Sequence, residues 1–341
     1  IGEHVLTALK TSKKPLIVTG LTFTRCSTPL NILKFIEGQN IPFVTTLHAK
    51  GFLPESHPNS LGVMGRARAN DIQKMISQAD LILGIGFDPV EINYEEWISD
   101  TRLIHLSSER ADVDMSVNLE YEAAGNIDVM IKELNALPKV QNDWDPGAWE
   151  VHRLNLSRDL RPESKNMATH QILDVLKSKL PPDAILTYDI GAHTHQIATQ
   201  WQCDLPHTCV STNGWSSMGY GMPSAYAAKL VHPDRTVVGV IGDGCFQMTA
   251  GELATAQRLK LNVPIVVLND GWLGLMKIKQ TNRHYGDYGT FLGAQADAPA
   301  HYFGAPCWGV RDIETFGKAL DWALAKSGPT VIEAFIDVDP Y

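Results

Sequence analysis

The sequence predicts two doubly wound parallel α/β sheets, one after the other, and three observations carry that reading. Apolar, β-branched runs such as 81–86 and 237–241 are continuous enough to be buried on both faces, as parallel strands are. Segments with helical spacing alternate with these runs, and several runs stop at a glycine, as at Gly20, Gly86 and Gly242. A chain of 341 residues is long for a single core and suits two domains of ordinary size.

Taken in order, residues 4–11 read as a short helix before a strand at 15–19. Residues 27–37 are helical, 43–46 form a strand, and a loop runs through 50–54. A helix at 70–78 leads to the strand 81–86, and 102–106 makes another. The Gly84-Ile85-Gly86 turn is an incomplete dinucleotide fingerprint and reads as structural turn glycines. Around 137–165 the chain turns polar and turn-rich, with a helix at 148–160. The expected division is a first domain at 1–140, a linker with a short helix at 141–165, and a second domain at 166–341.

The second domain opens with a helix at 169–180 and a strand at 184–188 that ends on Asp189-Ile190-Gly191-Ala192-His193. A helix at 224–230 precedes the strand 237–241. Thr249 followed by Glu252 reads as a capping box, which predicts a helix of about three turns beginning near Ala250. Pro264 cannot continue that helix, and 265–268 is the next strand. The polar, Gly/Ala-rich stretch 283–301 reads as a mobile loop, followed by a helix at 312–327 and a closing strand at 330–336.

Composition excludes several classes. A net charge of −9 with no basic block argues against a nucleic-acid scaffold. The five cysteines show no CxxC pair or zinc spacing, which predicts free thiols in a reducing cytoplasm. No apolar run reaches membrane-spanning length, and the start shows no signal pattern.

Chemistry concentrates after the strand 237–241. Two parallel strands joined by one helix end on the same sheet edge, so Asp243 and Asn269 can face one crevice. The Asp243 carboxylate, the Asn269 amide oxygen and a free Gly271 carbonyl supply part of an octahedron suited to Mg²⁺, with phosphate oxygens of a ligand completing it. Gly242 and Gly244 let backbone N–H groups approach such phosphates, and the Gly191 loop presents further N–H groups to an anion. His193 sits where a histidine is about as often a cap or surface residue as a ligand.

The motif Gly242-Asp243-Gly244, followed after a gap by Asn269-Asp270-Gly271, resembles the signature of thiamine diphosphate enzymes. Many members of that family have paired Asn where this chain has Leu268-Asn269; the second of the pair is the ligand. The segment Met218-Gly219-Tyr220-Gly221-Met222-Pro223 is similar to the family's Met-Gly-x-Gly-x-Pro. The resemblance implies that Asp243, Asn269 and the Gly271 carbonyl hold Mg²⁺. Ile190, Gly191, Ala192, His193, Gly242, Gly244, Cys245 and Trp272 would surround thiamine diphosphate. Met218 would pack beneath it, where a polarizable, unbranched side chain suits an irregular site, and the Ser216 carbonyl would accept from its amino group. Met276 and Gln280 fall on a segment that would shape the substrate pocket, although a Trp/Leu/Met stripe at helical spacing is more often core.

The first domain, through Gly62-Val63-Met64-Gly65-Arg66 and Phe87-Asp88-Pro89-Val90-Glu91, resembles the central domain of acetolactate synthases. It is most similar there to the catabolic, flavin-free branch, which makes FAD unlikely as a cofactor. The fold implied is a Rossmann-like central domain plus the thiamine diphosphate-binding fold, in a homodimer or tetramer. The activity implied is decarboxylation of a 2-oxo acid such as pyruvate and addition to a second carbonyl, giving acetolactate and CO₂. Oxalyl-CoA decarboxylase, sulfoacetaldehyde acetyltransferase and a non-catalytic α/β binding protein stay as alternatives. In that family a glutamate on an N-terminal pyrimidine-binding domain drives proton transfer. The chain begins with Ile, and the resemblance covers only the later two of the family's three domains. The expectation is that no catalytic glutamate lies in this chain, that a missing domain or separate subunit supplies it, and that the chain alone has little activity.

Overall fold

The computed structural model of the chain describes residues 1–87, 91, 100–112, 117–212, 214–293 and 297–337. They fall into two compact units, Ile1–Asp159 with Gln202–Pro206, and Leu160–Trp201 with His207–Tyr341. No described helix is long and apolar enough to cross a membrane.

The first unit holds six strands: β1 (Pro15–Thr19), β2 (Phe43–Thr45), β3 (Ser60–Val63), β4 (Leu81–Ile85), β5 (Arg102–Ser107) and β6 (Leu119–Ala124). They pair in the order β3-β2-β1-β4-β5-β6, all parallel. Strand order reverses beside β1, as in a doubly wound sheet. Alternate side chains of one strand enter different cores: Ile17 packs with Leu83 and Ile104 on one face, while Leu16 and Val18 pack with Ile82 and Leu103 on the other. That two-sided burial explains the uninterrupted apolar runs.

The second unit contains β7 (Ile185–Tyr188), β8 (Cys209–Val210), β9 (Val237–Gly242), β10 (Pro264–Asn269), β11 (His301–Tyr302), β12 (Ala305–Val310) and β13 (Thr330–Phe335). Their order is β11-β12-β13-β10-β9-β7-β8. All pairings are parallel except the antiparallel hairpin of β11 with β12. The central strands β9 and β10 are buried almost throughout.

Several local expectations change. The stretch read as one helix at 27–37 is a 3-10 turn, Pro29–Ile32, followed by the helix Leu33–Gln39. The segment expected to be a linker packs into the first unit as far as Asp159: Trp144 and Trp149 are buried, and the Trp144 indole donates to the Pro15 carbonyl at 2.6 Å. Within it the helix Pro146–Asp159 seats His152 against the Leu61 carbonyl at 3.0 Å. The expected capping box is not formed. Instead the helix Asp243–Thr249 begins at the end of β9, and a second helix, Glu252–Arg258, follows Gly251 without a side-chain cap. Starting helix at Asp243 places that carboxylate in the first turn, at the sheet edge, which a helix beginning near Ala250 would not do. In the stretch read as a mobile loop, residues 290–292 pair with 271–273 through Leu273 N–H to Thr290 and Leu292 N–H to Gly271. Of the Phe-Asp-Pro-x-Glu run, Asp88, Pro89 and Val90 lie outside the described residues, as does Asn213. Glu91 is described, and its carboxylate accepts from Leu21 N–H and the Thr46 hydroxyl, both at 2.6 Å.

Candidate functional site

Strands β10, β9 and β7 are adjacent and parallel, so their carboxyl ends meet along one edge of the second sheet. Asp243 follows β9, Asn269 closes β10, and Asp189 follows β7. A cavity of about 120 Å³ opens at that edge. Of the residues singled out from the sequence, Ile190, Gly191, Ala192, His193, Met218, Gly242, Asp243, Gly244, Cys245, Trp272 and Met276 line it.

Asp243 is 7 % exposed, and its hydrogen-bond donors are backbone N–H groups. Gly244 N–H reaches Oδ1 at 2.8 Å, and Gly271 N–H reaches Oδ2 at 2.9 Å. Burial pushes the Asp243 carboxyl up to about 6, against the pull of those donors, and the nearby charge of Glu333 adds to the rise. Gly271 N–H also lies 3.1 Å from Asn269 Oδ1, so one donor bridges the two oxygens. That arrangement needs the left-handed backbone of Gly271, φ +73°. The Gly271 carbonyl is not free as expected: it accepts from Leu292 N–H at 2.8 Å because the 290–292 segment pairs here. A carbonyl has two lone pairs, so one remains for a cation.

The glycines shape the cavity floor. A Cβ at residue 244 would lie 2.8 Å from Leu273 Cδ2 and 3.4 Å from Met218 Cε, and one at 242 would lie 3.2 Å from the His193 ring. His193 is buried, its Nε2 has no hydrogen-bond partner among the described residues, and desolvation drops its pKa to about 4. It is therefore a neutral imidazole near pH 7. Burial pushes the Cys245 thiol far up, and Sγ donates to the Ile190 carbonyl at 3.1 Å, both of which favour the thiol over the thiolate.

Four predicted positions do not line the cavity, Gly271 among them. Ser216, at φ +53°, does not line the cavity. Gln280 is turned to the loop, donating to the Tyr288 carbonyl at 3.0 Å and accepting from the Thr290 hydroxyl at 3.1 Å. It holds the loop and does not face the cavity. Asn269 touches the site through Gly271 without itself lining the cavity.

Two residues were missed. Asp189 is fully buried; its Oδ1 accepts from Ile190 and Gly219 N–H, and its Oδ2 from Gly221 N–H. It clamps the loop bearing Met218 to the end of β7. Gly221 has no room for a side chain, since a Cβ there would come within 3.0 Å of Asp189 N and Tyr188 C. Glu333 on β13 is 2 % exposed and accepts from Asn269 Nδ2 at 2.7 Å. Its signal was an acid inside the otherwise apolar run of β13.

An orphaned imidazole nitrogen, glycines approaching a helix entrance, and a buried carboxylate that shares the Gly271 N–H with an amide oxygen fit an anionic ligand bridged by a hard cation. Residues 189–334 match the thiamine pyrophosphate enzyme, C-terminal TPP binding domain, and residues 3–134 match the thiamine pyrophosphate enzyme, central domain. An acetolactate synthase from Arthrospira platensis is 26% identical over 99% of this chain and 61% of its own length. The Escherichia coli acetolactate synthase isozyme 1 large subunit is 28% identical over 97% of this chain and 60% of its own. A putative thiamine pyrophosphate-containing protein, YdaP, from Bacillus subtilis is 27% identical over 97% and 58% respectively. The chain spans about three fifths of the length of these relatives. The two domain matches follow one another along most of the chain, and the chain belongs to the thiamine pyrophosphate enzymes.

Proposed function

We propose that this chain is the central and diphosphate-binding portion of a thiamine diphosphate- and Mg²⁺-dependent 2-oxo acid decarboxylase and carboligase, most like acetolactate synthase and acting on pyruvate. The observation that carries the reading is the meeting of Asp243, Asn269 and Gly271 beside a glycine-lined helix entrance on adjacent parallel strands. The names of the relatives supply the product, acetolactate.

In this reading the Asp243 carboxylate, the Asn269 amide oxygen and the second lone pair of the Gly271 carbonyl hold Mg²⁺. A cation there offsets the cost of ionising a buried carboxyl, which its neutral backbone donors offset only in part. Gly242, Gly244 and the Ile190–His193 loop receive the diphosphate, and a neutral His193 adds no charge beside it. Met218, on the loop that Asp189 clamps, would support the bound cofactor from the cavity wall. Leu273, Leu275 and Met276 line the outer wall and exclude water from the reacting face. When bound, thiamine diphosphate supplies the carbon nucleophile and electron sink that decarboxylation needs. Proton transfer relies, in this reading, on a glutamate in a pyrimidine-binding domain contributed by other protein sequence, within a homo-oligomer.

The test is to incubate the chain with pyruvate, thiamine diphosphate and Mg²⁺ and follow acetolactate and CO₂. Retention of cofactor through gel filtration, with turnover rising when the glutamate-bearing portion is supplied, is the expected result. Failure of pyruvate, with or without that portion, to give either product would overturn the substrate assignment.

A further inference from the structure

We infer that Glu333 is a positioning residue for the divalent cation: it fixes which end of the Asn269 amide faces Asp243. The inference rests on the metal reading above. An amide has two unlike ends, and only the oxygen can bind a cation. Glu333 Oε1 accepts from Asn269 Nδ2 at 2.7 Å, which commits the nitrogen to the β13 side. Oδ1 is then turned toward Gly271 N–H, the group it shares with Asp243 Oδ2.

Glu333 is itself held. The Tyr302 hydroxyl donates to Oε2 at 3.0 Å, and the Tyr302 ring packs edge-on against Phe246, centroids 4.9 Å apart. Phe246 lies on the helix that begins at Asp243, so the chain of contacts returns to the other proposed ligand. Register supports the same placement: Val267 pairs with Glu333 across β10 and β13, two residues before Asn269. A carboxylate at 2 % exposure is costly when its bonds are made to neutral donors, and an apolar residue would suit a central strand better. What a carboxylate adds is an acceptor with no donor of its own, which a Gln, Asn or Ser does not provide. Outer partners of this kind typically contribute about 10–100-fold to metal affinity.

The experiment is a Mn²⁺ titration of the whole chain, read by the paramagnetic resonance signal of free ion, with thiamine diphosphate present. Each protein's thermal midpoint without metal is measured alongside. Glu333→Gln should weaken Mn²⁺ binding about tenfold or more, because the new side chain can face Asn269 with its own NH₂ and release the amide to flip. Tyr302→Phe, the milder variant, should weaken it less and in the same direction. The decisive arm is Glu333→Gln combined with Asn269→Asp. A carboxylate at 269 presents oxygen at both ends, and the amide introduced at 333 can donate to it, so most of the lost affinity should return; a merely structural role for Glu333 would give no such rescue. Unchanged Mn²⁺ affinity in Glu333→Gln, or no recovery in the double variant, overturns the positioning role. Absence of Mn²⁺ binding by the unaltered chain overturns the metal reading itself, and the positioning role with it.

Discussion

Burial holds the His193 imidazole neutral, and that has a cost in acid. Its pKa falls from 6.5 to about 4 on folding, so its contribution is complete above pH 6.5 and is lost as pH drops toward 4. The size is on the order of 3 kcal/mol. His193→Gln should flatten that part of the stability profile, measured by urea unfolding at pH 7 and pH 4.5; an unchanged difference between the two would contradict the assignment. Asp189 acts by acceptance alone. Asp189→Asn replaces one acceptor oxygen with a donor facing a backbone N–H, and the expected loss is about 1–3 kcal/mol in the same unfolding assay. Residues of this kind divide by how local their evidence is. Asp243 and Asn269 were legible because glycine-flanked polar groups at the ends of two apolar runs are a local pattern. Asp189 was not, since its partners Gly219 and Gly221 lie 30 and 32 residues away and nothing near it signals the clamp.

Among the elements, the buried strands announced themselves and the edge strands did not. β1, β4, β9 and β10 are apolar on both faces, whereas β3 contains Gly62 at φ +106° and β6 reads Leu-Glu-Tyr-Glu-Ala-Ala and is partly exposed along its length. The stretch 141–165 looked like a linker because it is polar, yet Trp144 and Trp149 anchor it in the first core. Two tryptophans in a turn-rich segment are the sign that composition averaged away. Position 221 tests the join between the Met218 loop and β7. Gly221→Ala forces a Cβ against backbone and Ile241, and the expected cost is about 1–3 kcal/mol, read as a lowered thermal midpoint. In the first unit, Lys50 and Glu55 form an ion pair at 2.7 Å with both side chains almost wholly buried. Lys50→Met leaves Glu55 unpaired and should cost about 3–5 kcal/mol, while Lys50→Met with Glu55→Leu should recover much of it. Equal losses in the single and double variants would show that the pair matters for packing alone.

At the scale of the whole molecule, the alternation of apolar strands and helices was enough to read two parallel-dominated α/β sheets. The antiparallel β11–β12 hairpin escaped because β11 is only two residues long and β12 contains Pro306. The second sheet brings the carboxyl ends of three neighbouring strands to one edge, and the account of function depends on what that edge binds. The most direct measurement is a calorimetric titration of thiamine diphosphate into the chain, with and without Mg²⁺, repeated on Asp243→Ala. The expected result is binding heat that requires Mg²⁺ and disappears in the variant. Equally tight binding without the metal, or in Asp243→Ala, would contradict the claim that Asp243 anchors the cofactor through a cation.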